Sequence, residues 1–258
     1  MNLTIGDIIE AIESAAPRAG QEDWDNCGLL VGSARAEAEG VMVCLDVTPD
    51  VVRQARLKGC NLIIGHHPLI FKGVKVLSDE TVQGRAIIDA IRADIAVYAA
   101  HTSLDNAPEP YGVSWEMARM MGAEVEAVMT PSGTGVIARL PEPMEREAFV
   151  AAVKRAFSAQ GARVSAGTGR KVESVVFGGG ACGFLIPDCA EHGADAIVTS
   201  DVRYHDFLDY GKRTLIVDLT HFDTEKCTKR IFMRIISEKF PNFADVFCAD
   251  ETNPIEFL

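Results

Sequence analysis

The sequence lacks the features of a disulfide framework. Its seven cysteines are odd in number and irregularly spaced, and none of them forms a C-x-x-C pair. This pattern is typical of reduced thiols in a cytosolic protein rather than of a secreted domain held together by disulfides. Most of these cysteines lie among apolar residues, where a free thiol behaves as a small hydrophobic side chain. We therefore expect a cytoplasmic protein without structural disulfides.

Signals for a membrane or for nucleic acid are also missing. The chain has no apolar run long enough to span a bilayer, and it does not start with a basic segment followed by an apolar stretch. Its formal net charge is -12, whereas binding to a phosphate backbone needs a basic face. We therefore expect neither a membrane protein nor a nucleic-acid-binding protein. An acidic protein can still bind an anionic substrate when metal ions supply the positive charge.

What the sequence does contain is a regular alternation of strands and helices. The run at 41–47 predicts a buried strand, a helix follows from Thr48 to about Lys58, and a second apolar strand comes at 62–64. This β-α-β unit predicts a parallel pair of strands with a right-handed crossover. The same alternation continues along most of the chain. The predicted class is α/β, with a mostly parallel sheet at its core.

Residues 125–182 differ from the rest of the chain. They predict a strand, a helix and two further strand-like runs, joined by loops rich in Gly and Ser. We interpret this stretch as a smaller α+β domain inserted into the first domain. The first domain then consists of residues 1–124 plus 183–258, and it is expected to carry the metal site.

Four predicted strands each end in polar residues of the types that bind metal ions. In chain order these residues are His66 and His67, His101 and Asp105, Asp201 and His205, and His221 and Glu225. Ligands of open parallel α/β sheets bind outside the carboxyl ends of the strands, so we expect these side chains to converge. Each set alone has an ordinary explanation, such as one surface and one packed histidine for the adjacent pair. Because five of the six histidines fall in this set, a common site is the better interpretation.

His221 and Glu225 are four residues apart, so a helix that begins here presents both on one face. The alternative is a solvated helix start, where a glutamate favours the positive end of the helix dipole. Beside the other three sets, the pair favours a site in which a carboxylate bridges two divalent ions. Nitrogen and oxygen ligands without thiolate suit Zn, Fe, Mn, Ni or Co rather than a Cys-rich structural zinc site.

Five stretches are similar to the motifs of one family. They are WDNCGLLVG at 24–32, GHHPLIF at 65–71, AHTSLD at 100–105, SDVRYH at 200–205 and THFDTE at 220–225. In this order they resemble the dinuclear metal-centre hexamer family, which is also described as YbgI-like or Nif3-like and is commonly named GTP cyclohydrolase I type 2. The resemblance covers nearly the whole chain.

The resemblance implies a site, a fold and an assembly. The residues that it implies as ligands of two divalent ions per subunit are His66, His67, Asp105, His221 and Glu225. It places His101 and His205 beside this site, in proton transfer or in support of the ligands. It also implies two α/β domains and a homohexamer whose metal sites face an internal cavity.

Three residues depart from the family pattern. Ser200 and Thr220 stand where the family usually has Gly, and Thr224 stands where it usually has Ser. We expect Ser200 and Thr220 to narrow the backbone approach near the site while the metal ligands stay intact.

Two functions are compatible with these residues. The first is a metal-dependent hydrolase that attacks its substrate with activated water, with His205 or His101 moving the proton. The resemblance implies GTP, a small-molecule nucleotide, as the substrate, but phosphoester or amide hydrolysis would use the same ions. The second is a non-enzymatic metal-binding, regulatory or metal-carrier assembly.

Three other features have structural interpretations. Trp24 is expected to be a core anchor. Gly178-Gly179-Gly180 lies between a strand and a helix, where backbone amides can bind phosphate, but it lacks the GxGxxG and P-loop spacings. We therefore expect a tight turn there. The apolar C-terminal run at 253–258 is expected to dock on the protein, with a subunit contact as the alternative.

Overall fold

Strands and short helices alternate along the computed structural model, which describes residues 3–258. The helices are α1 (Ile5–Ala15), α2 (Pro49–Leu57), α3 (Val82–Arg92), α4 (Thr102–Asp105), α5 (Val113–Met120), α6 (Arg146–Ala156), α7 (Ile186–His192), α8 (Tyr204–Tyr210), α9 (His221–Glu225) and α10 (Thr228–Lys239). The strands are β1 (Gly28–Val31), β2 (Val41–Cys44), β3 (Leu62–Gly65), β4 (Ala96–Ala99), β5 (Glu124–Val128), β6 (Val136–Met144), β7 (Arg163–Val164), β8 (Val172–Phe177), β9 (Ala196–Ser200), β10 (Leu215–Leu219) and β11 (Val246–Cys248). Short 3-10 turns lie at Arg18–Gly20 and Cys182–Leu185. The α/β class therefore agrees with the prediction from the sequence.

The chain divides into two units. The first contains the residues up to Ala107 together with Thr228–Thr252, and the second contains Pro108–Cys227 together with Asn253–Leu258. Among the described helices, none is long and apolar enough to cross a membrane.

The first unit is built on a five-stranded sheet in the order β1-β4-β3-β2-β11. β4, β3, β2 and β11 run parallel to one another, and β1 pairs antiparallel with β4 at one edge. The predicted parallel pair of β2 and β3, joined through α2, is confirmed. All residues of β2, β3 and β4 are buried, as expected for parallel strands covered on both faces. Apolar residues of α2 and α3 pack together against this sheet.

Helix α1 shows how the local sequence specifies an element of this unit. Thr4 caps the helix by accepting a hydrogen bond from the Asp7 backbone at 3.2 Å, and Asp7 accepts one from the Thr4 backbone at 2.8 Å. Such a cap stabilises a helix by about 1 kcal/mol. Ile5, Ile8 and Ile12 are buried along one face, as is typical of an amphipathic helix.

The second unit is built on a six-stranded sheet in the order β5-β6-β8-β9-β10-β7. β8, β9 and β10 are parallel, whereas β5, β6 and β7 pair antiparallel with their neighbours. Helix α7 connects β8 to β9, and its buried residues join Val176, Ile197 and Ile216 in one apolar core. The four strands with polar ends therefore lie in two sheets, because β3 and β4 belong to the first and β9 and β10 to the second.

The observed division of the chain differs from the predicted boundaries. The sequence suggested a small insert at 125–182, with residues after 183 returning to the first domain. In the structure β8 pairs with β9 in parallel, so the segment that looked like an insert continues through α7 into β9 and β10. The second unit therefore extends from Pro108 to Cys227. After β10 the chain forms two helices, α9 and α10, and the boundary between the units falls between them.

Candidate metal centre

In the first unit, the ends of β3 and β4 bring four predicted site residues together. The backbone amides of His66 and His67 continue the ladder with the neighbouring strand, donating to the carbonyls of Cys44 and Leu45 at 3.2 and 3.0 Å. Their ring centroids lie 5.1 Å apart, and the His101 centroid lies 5.3 and 5.4 Å from them. One ring nitrogen of each of these three histidines lies within 4.8 Å of the others, a spacing that can hold a metal ion.

Asp105 completes this group from the short helix α4. The Asp105 amide donates to the His101 carbonyl at 3.1 Å, so one helical turn connects the two residues. Asp105 Oδ1 lies 3.6 Å from Nε2 of His66, whose side chain is completely buried. Asp105 therefore adds a carboxylate next to His66, and imidazole and carboxylate donors suit a divalent transition metal.

Hydrogen bonds orient each of the three imidazoles through Nδ1. Nδ1 of His66 donates to the Ala100 carbonyl at 3.0 Å. Nδ1 of His67 donates to Asp46 at 2.8 Å, and Nδ1 of His101 donates to Asp25 at 2.9 Å. A neutral ring that donates through Nδ1 keeps its lone pair on Nε2, the arrangement usually found in metal-binding histidines.

Asp25 is the most enclosed of these supporting groups, with a side chain that is 0% exposed. Besides His101, it accepts from the Thr102 amide at 2.9 Å and from the Thr102 hydroxyl. Burial by itself would raise the pKa of Asp25, but the hydrogen bonds from His101 and Thr102 outweigh it and hold the pKa well below its usual range. Asp25 is therefore an ionised carboxylate that fixes His101.

The second unit contributes His221 and Glu225 from the helix that follows β10. Their side chains are on one face of α9, as the spacing predicts, with His221 Nε2 2.8 Å from Glu225 Oε2. Nδ1 of His221 donates to Asp201 at 2.6 Å. Asp201 follows directly after β9 and has a φ of 55°, a left-handed conformation that few residues other than Gly adopt. A fourth histidine is thus oriented through Nδ1.

Thr220 has a different role from the one expected. It is the N-cap of α9, and its hydroxyl accepts from the Asp223 amide at 3.1 Å. The amide of Asn253 in turn donates to the Thr220 hydroxyl at 2.7 Å. Thr220 therefore stabilises the start of the helix that carries His221 and Glu225. Asn253 of the C-terminal run contacts it, but the apolar side chains of Ile255, Phe257 and Leu258 are exposed, which differs from the expected docking.

The glycine run at 178–180 is a tight turn, as expected, and it packs against Glu225. Gly180 has a φ of +64°, and a Cβ placed there would lie only 2.0 Å from Oε1 of Glu225. The Gly180 amide donates to the Thr224 hydroxyl at 3.1 Å, and its carbonyl accepts from the Ser200 amide at 3.0 Å. Thr224, one of the departures from the family pattern, thus holds the turn that borders Glu225 through its side chain, whereas Ser200 bonds to the turn through its backbone.

His205 and Trp24 both have exposed side chains. His205 is exposed on α8, its ring stacks edge-on against that of Tyr204 at 5.4 Å, and it joins none of the possible metal-binding groups among the described residues. Trp24 was expected in the core but is 60% exposed. Asp25 and Cys27 turn inward toward the start of α4, and the indole remains outside.

Sequence reasoning missed Asp25 and Asp46. Asp46 lies at the end of the run that predicts β2, so the rule applied to the other strand ends would have found it. Asp25 lies inside the family-like stretch at 24–32, where nothing in the local pattern indicates that an aspartate bonds to His101.

Comparison with known proteins identifies the family of this chain. Residues 3–254 match the model of the family described as Duf34/NIF3 (NGG1p interacting factor 3). The chain belongs to the Duf34/NIF3 family. Among its relatives is a protein of Clostridium acetobutylicum named GTP cyclohydrolase 1 type 2 homolog, 32% identical over 87% of this chain and 86% of the relative. A protein of the same name from Clostridium perfringens is 28% identical over 99% of this chain and all of the relative.

Two solved structures have the same fold as this chain. A hypothetical protein of Staphylococcus aureus matches with a TM-score of 0.90 and 28% identity over the whole of both chains. A Bacillus cereus protein related to NIF3 matches with a TM-score of 0.91 and 24% identity, also over both whole chains, which supports the fold alone. The family expected from the sequence motifs is therefore confirmed, and the three-histidine group of the first unit is of a kind that can hold metal.

Proposed function

We propose that this protein binds two divalent metal ions and uses them to hydrolyse a small-molecule substrate. The proposed ligands are the five residues implied by the family resemblance, namely His66, His67, Asp105, His221 and Glu225. The proposal rests on the hydrogen bonds of the histidine rings, which are found in the first unit and in the second. Every histidine of this set donates through Nδ1 to a carbonyl or carboxylate, which is the orientation in which metal-binding histidines use Nε2 as the ligand atom.

The side chains around these histidines support hydrolytic chemistry. Divalent ions bound by such residues acidify water and polarise a carbonyl or phosphoryl group. His101 is placed to move a proton at Nε2, because its Nδ1 donates to ionised Asp25, which holds the ring in a fixed orientation. His205, although exposed, remains a second candidate for proton transfer, as the sequence suggested.

The substrate class follows from the names of the relatives and from this chemistry. Two relatives are named GTP cyclohydrolase 1 type 2 homolog, so opening of the imidazole ring of GTP is the first reaction to test. A phosphoester and an amide are the other two classes, since the same ions would activate water for each.

Turnover of the metal-loaded protein tests the hydrolase. We expect Glu225→Ala to abolish hydrolysis of GTP, a phosphoester or an amide substrate while its circular dichroism spectrum stays unchanged. Glu191→Ala, which removes an exposed glutamate from α7 of the same unit, serves as the matched control and should retain full activity. Equal turnover by Glu225→Ala and wild type would exclude the two-metal mechanism. Full metal loading without turnover of any of the three substrates would instead favour a metal carrier or regulatory protein.

A further inference from the structure

Two exposed aromatic side chains lie beside His101 in the first unit. Trp24 is 60% exposed and Phe71 is 39% exposed, although large apolar rings normally lose water on folding. Their ring centroids are 5.9 Å apart. Each also meets the His101 ring nearly edge-on, with centroids 6.0 Å from Trp24 and 6.2 Å from Phe71. We call Trp24 and Phe71 the aromatic pair.

The aromatic pair is held in place by hydrogen bonds on both of its segments. Asn26 Nδ2 donates to the Ile70 carbonyl at 2.5 Å, which ties the residues next to Trp24 to those next to Phe71. Asp25 is anchored by His101 and by the Thr102 amide at 2.9 Å. The rings are therefore preorganised in an exposed position, which lowers the entropic cost of binding a ligand there.

We infer that the aromatic pair binds a planar heteroaromatic ring of the substrate, an inference that rests on the proposed function. The ring planes of Trp24 and Phe71 are tilted by 52°, so a flat ring stacked on one meets the other near its edge. Stacked and edge-to-face contacts are both favourable aromatic geometries. Because His101 touches both rings, a base held there lies next to the three-histidine group.

The size and chemistry of the pair select a small planar molecule as the occupant. Stacking on exposed tryptophan and phenylalanine is a common way to bind nucleobases, since every base has a π face. The His101 ring contacts both members of the pair, so the reactive part of the ligand would point toward His101. A purine nucleotide is therefore the appropriate probe.

Tryptophan fluorescence tests this inference directly. The chain has two tryptophans, so Trp115→Phe makes Trp24 the single reporter. In this background, carrying its metal, we expect guanosine 5′-monophosphate to quench the fluorescence saturably. Ribose 5-phosphate, which carries the same phosphate and sugar without the base, should not quench it. Phe71→Leu should weaken nucleotide binding by about 5- to 100-fold, the range expected for loss of one stacking partner. Leu57→Ala removes an exposed apolar side chain from α2 and should leave binding unchanged.

The aromatic subsite and the proposed function fail under different results of this experiment. Quenching that rises linearly without saturation, and equally in Phe71→Leu, would show only collisions with an exposed indole and would overturn the subsite. If the protein with this linear quenching still binds two ions and turns over its substrate normally, the proposed function is retained and only the aromatic subsite is lost. Saturable, Phe71-dependent quenching by a protein that binds no metal would instead overturn the proposed function and retain the aromatic subsite.

Discussion

At the residue scale, three aspartates that are not proposed as ligands hold site histidines. Asp25, Asp46 and Asp201 each accept a hydrogen bond from Nδ1 of a histidine, at 2.9, 2.8 and 2.6 Å respectively. A carboxylate in this position fixes the tautomer and raises the basicity of Nε2. Metal affinity should therefore depend on these three aspartates, although none of them is proposed to bind the metal.

Asp46 offers a direct test of this support. We expect Asp46→Ala to weaken metal binding by about 10-fold or more, because Nδ1 of His67 loses its carboxylate partner. The measurement is a competition titration with a chromophoric chelator. Asp50→Ala is the matched control, since Asp50 is a nearby exposed aspartate that bonds to Arg53 and Gln54 instead of a histidine. Equal affinities for Asp46→Ala and wild type would show that His67 needs no support.

Asp218 predicts a pH dependence of stability. Burial raises the pKa of this β10 carboxyl from 3.8 to about 6, against the attraction of Arg163, with which it forms an ion pair. The folded state therefore favours the protonated form. Its stabilising contribution is complete below about pH 4 and is lost as the pH rises through about 6.

Asp218→Asn should remove this dependence, because the amide stays neutral. Between about pH 4 and pH 7 the free energy of unfolding of wild type should fall relative to that of the variant by up to about 3 kcal/mol. Urea unfolding at a series of pH values measures this difference, with exposed Asp209→Asn as the control. Parallel curves for wild type and Asp218→Asn would mean that Asp218 titrates normally.

At the element scale, the turn after β8 controls the position of Glu225. Gly180→Ala would place a Cβ 2.0 Å from Oε1 of Glu225, at a residue whose φ is +64°. We expect this variant to lose much of its metal, as measured by metal analysis of the purified protein, because the carboxylate must move. Its thermal stability should fall as well.

Gly193→Ala is the control that distinguishes the clash with Glu225 from the strain of placing an alanine at a positive φ. Gly193 has a φ of +72°, but nothing lies within 4 Å of a Cβ placed there. This control should lose about 1 kcal/mol of stability and keep its metal. If both variants keep the same amount of metal, the turn does not position Glu225.

Local sequence was sufficient to predict most of the elements. The helix start at Thr48 and the parallel pair of β2 and β3 depend on residues close in sequence, and the structure confirms them. Strand ends also led to the site residues in each unit. Strand β5 was missed because its five residues are mostly exposed and carry two glutamates, which gives a weak strand pattern.

Long-range pairing was what the sequence did not reveal. Whether β9 adds to the first or the second sheet depends on its hydrogen bonds to β8, and both alternatives have the same local pattern. The exposure of Trp24 was missed for a similar reason. An indole next to a buried aspartate looks like a core residue until the contacts of Asp25 with the start of α4 are known.

At the scale of the whole molecule, the proposed ligand set takes residues from both units. His66, His67 and Asp105 belong to the first unit, and His221 and Glu225 belong to the second. The homohexamer implied by the family resemblance remains a prediction, and the mass of the assembly measured by light scattering in solution tests it. Neither the ligand set nor the assembly depends on which reaction is catalysed.

The metal content per subunit is the most direct test of the central claim. It should be measured on protein purified without chelator or nickel affinity resin, for wild type and for the double variant His66→Ala/Glu225→Ala. We expect about two equivalents in wild type, since the five ligands can serve two ions with one bridging carboxylate, and a loss of both in the double variant. A wild-type content near zero, with no uptake when Zn, Mn or Fe(II) is added, would contradict the dinuclear site and the hydrolase with it.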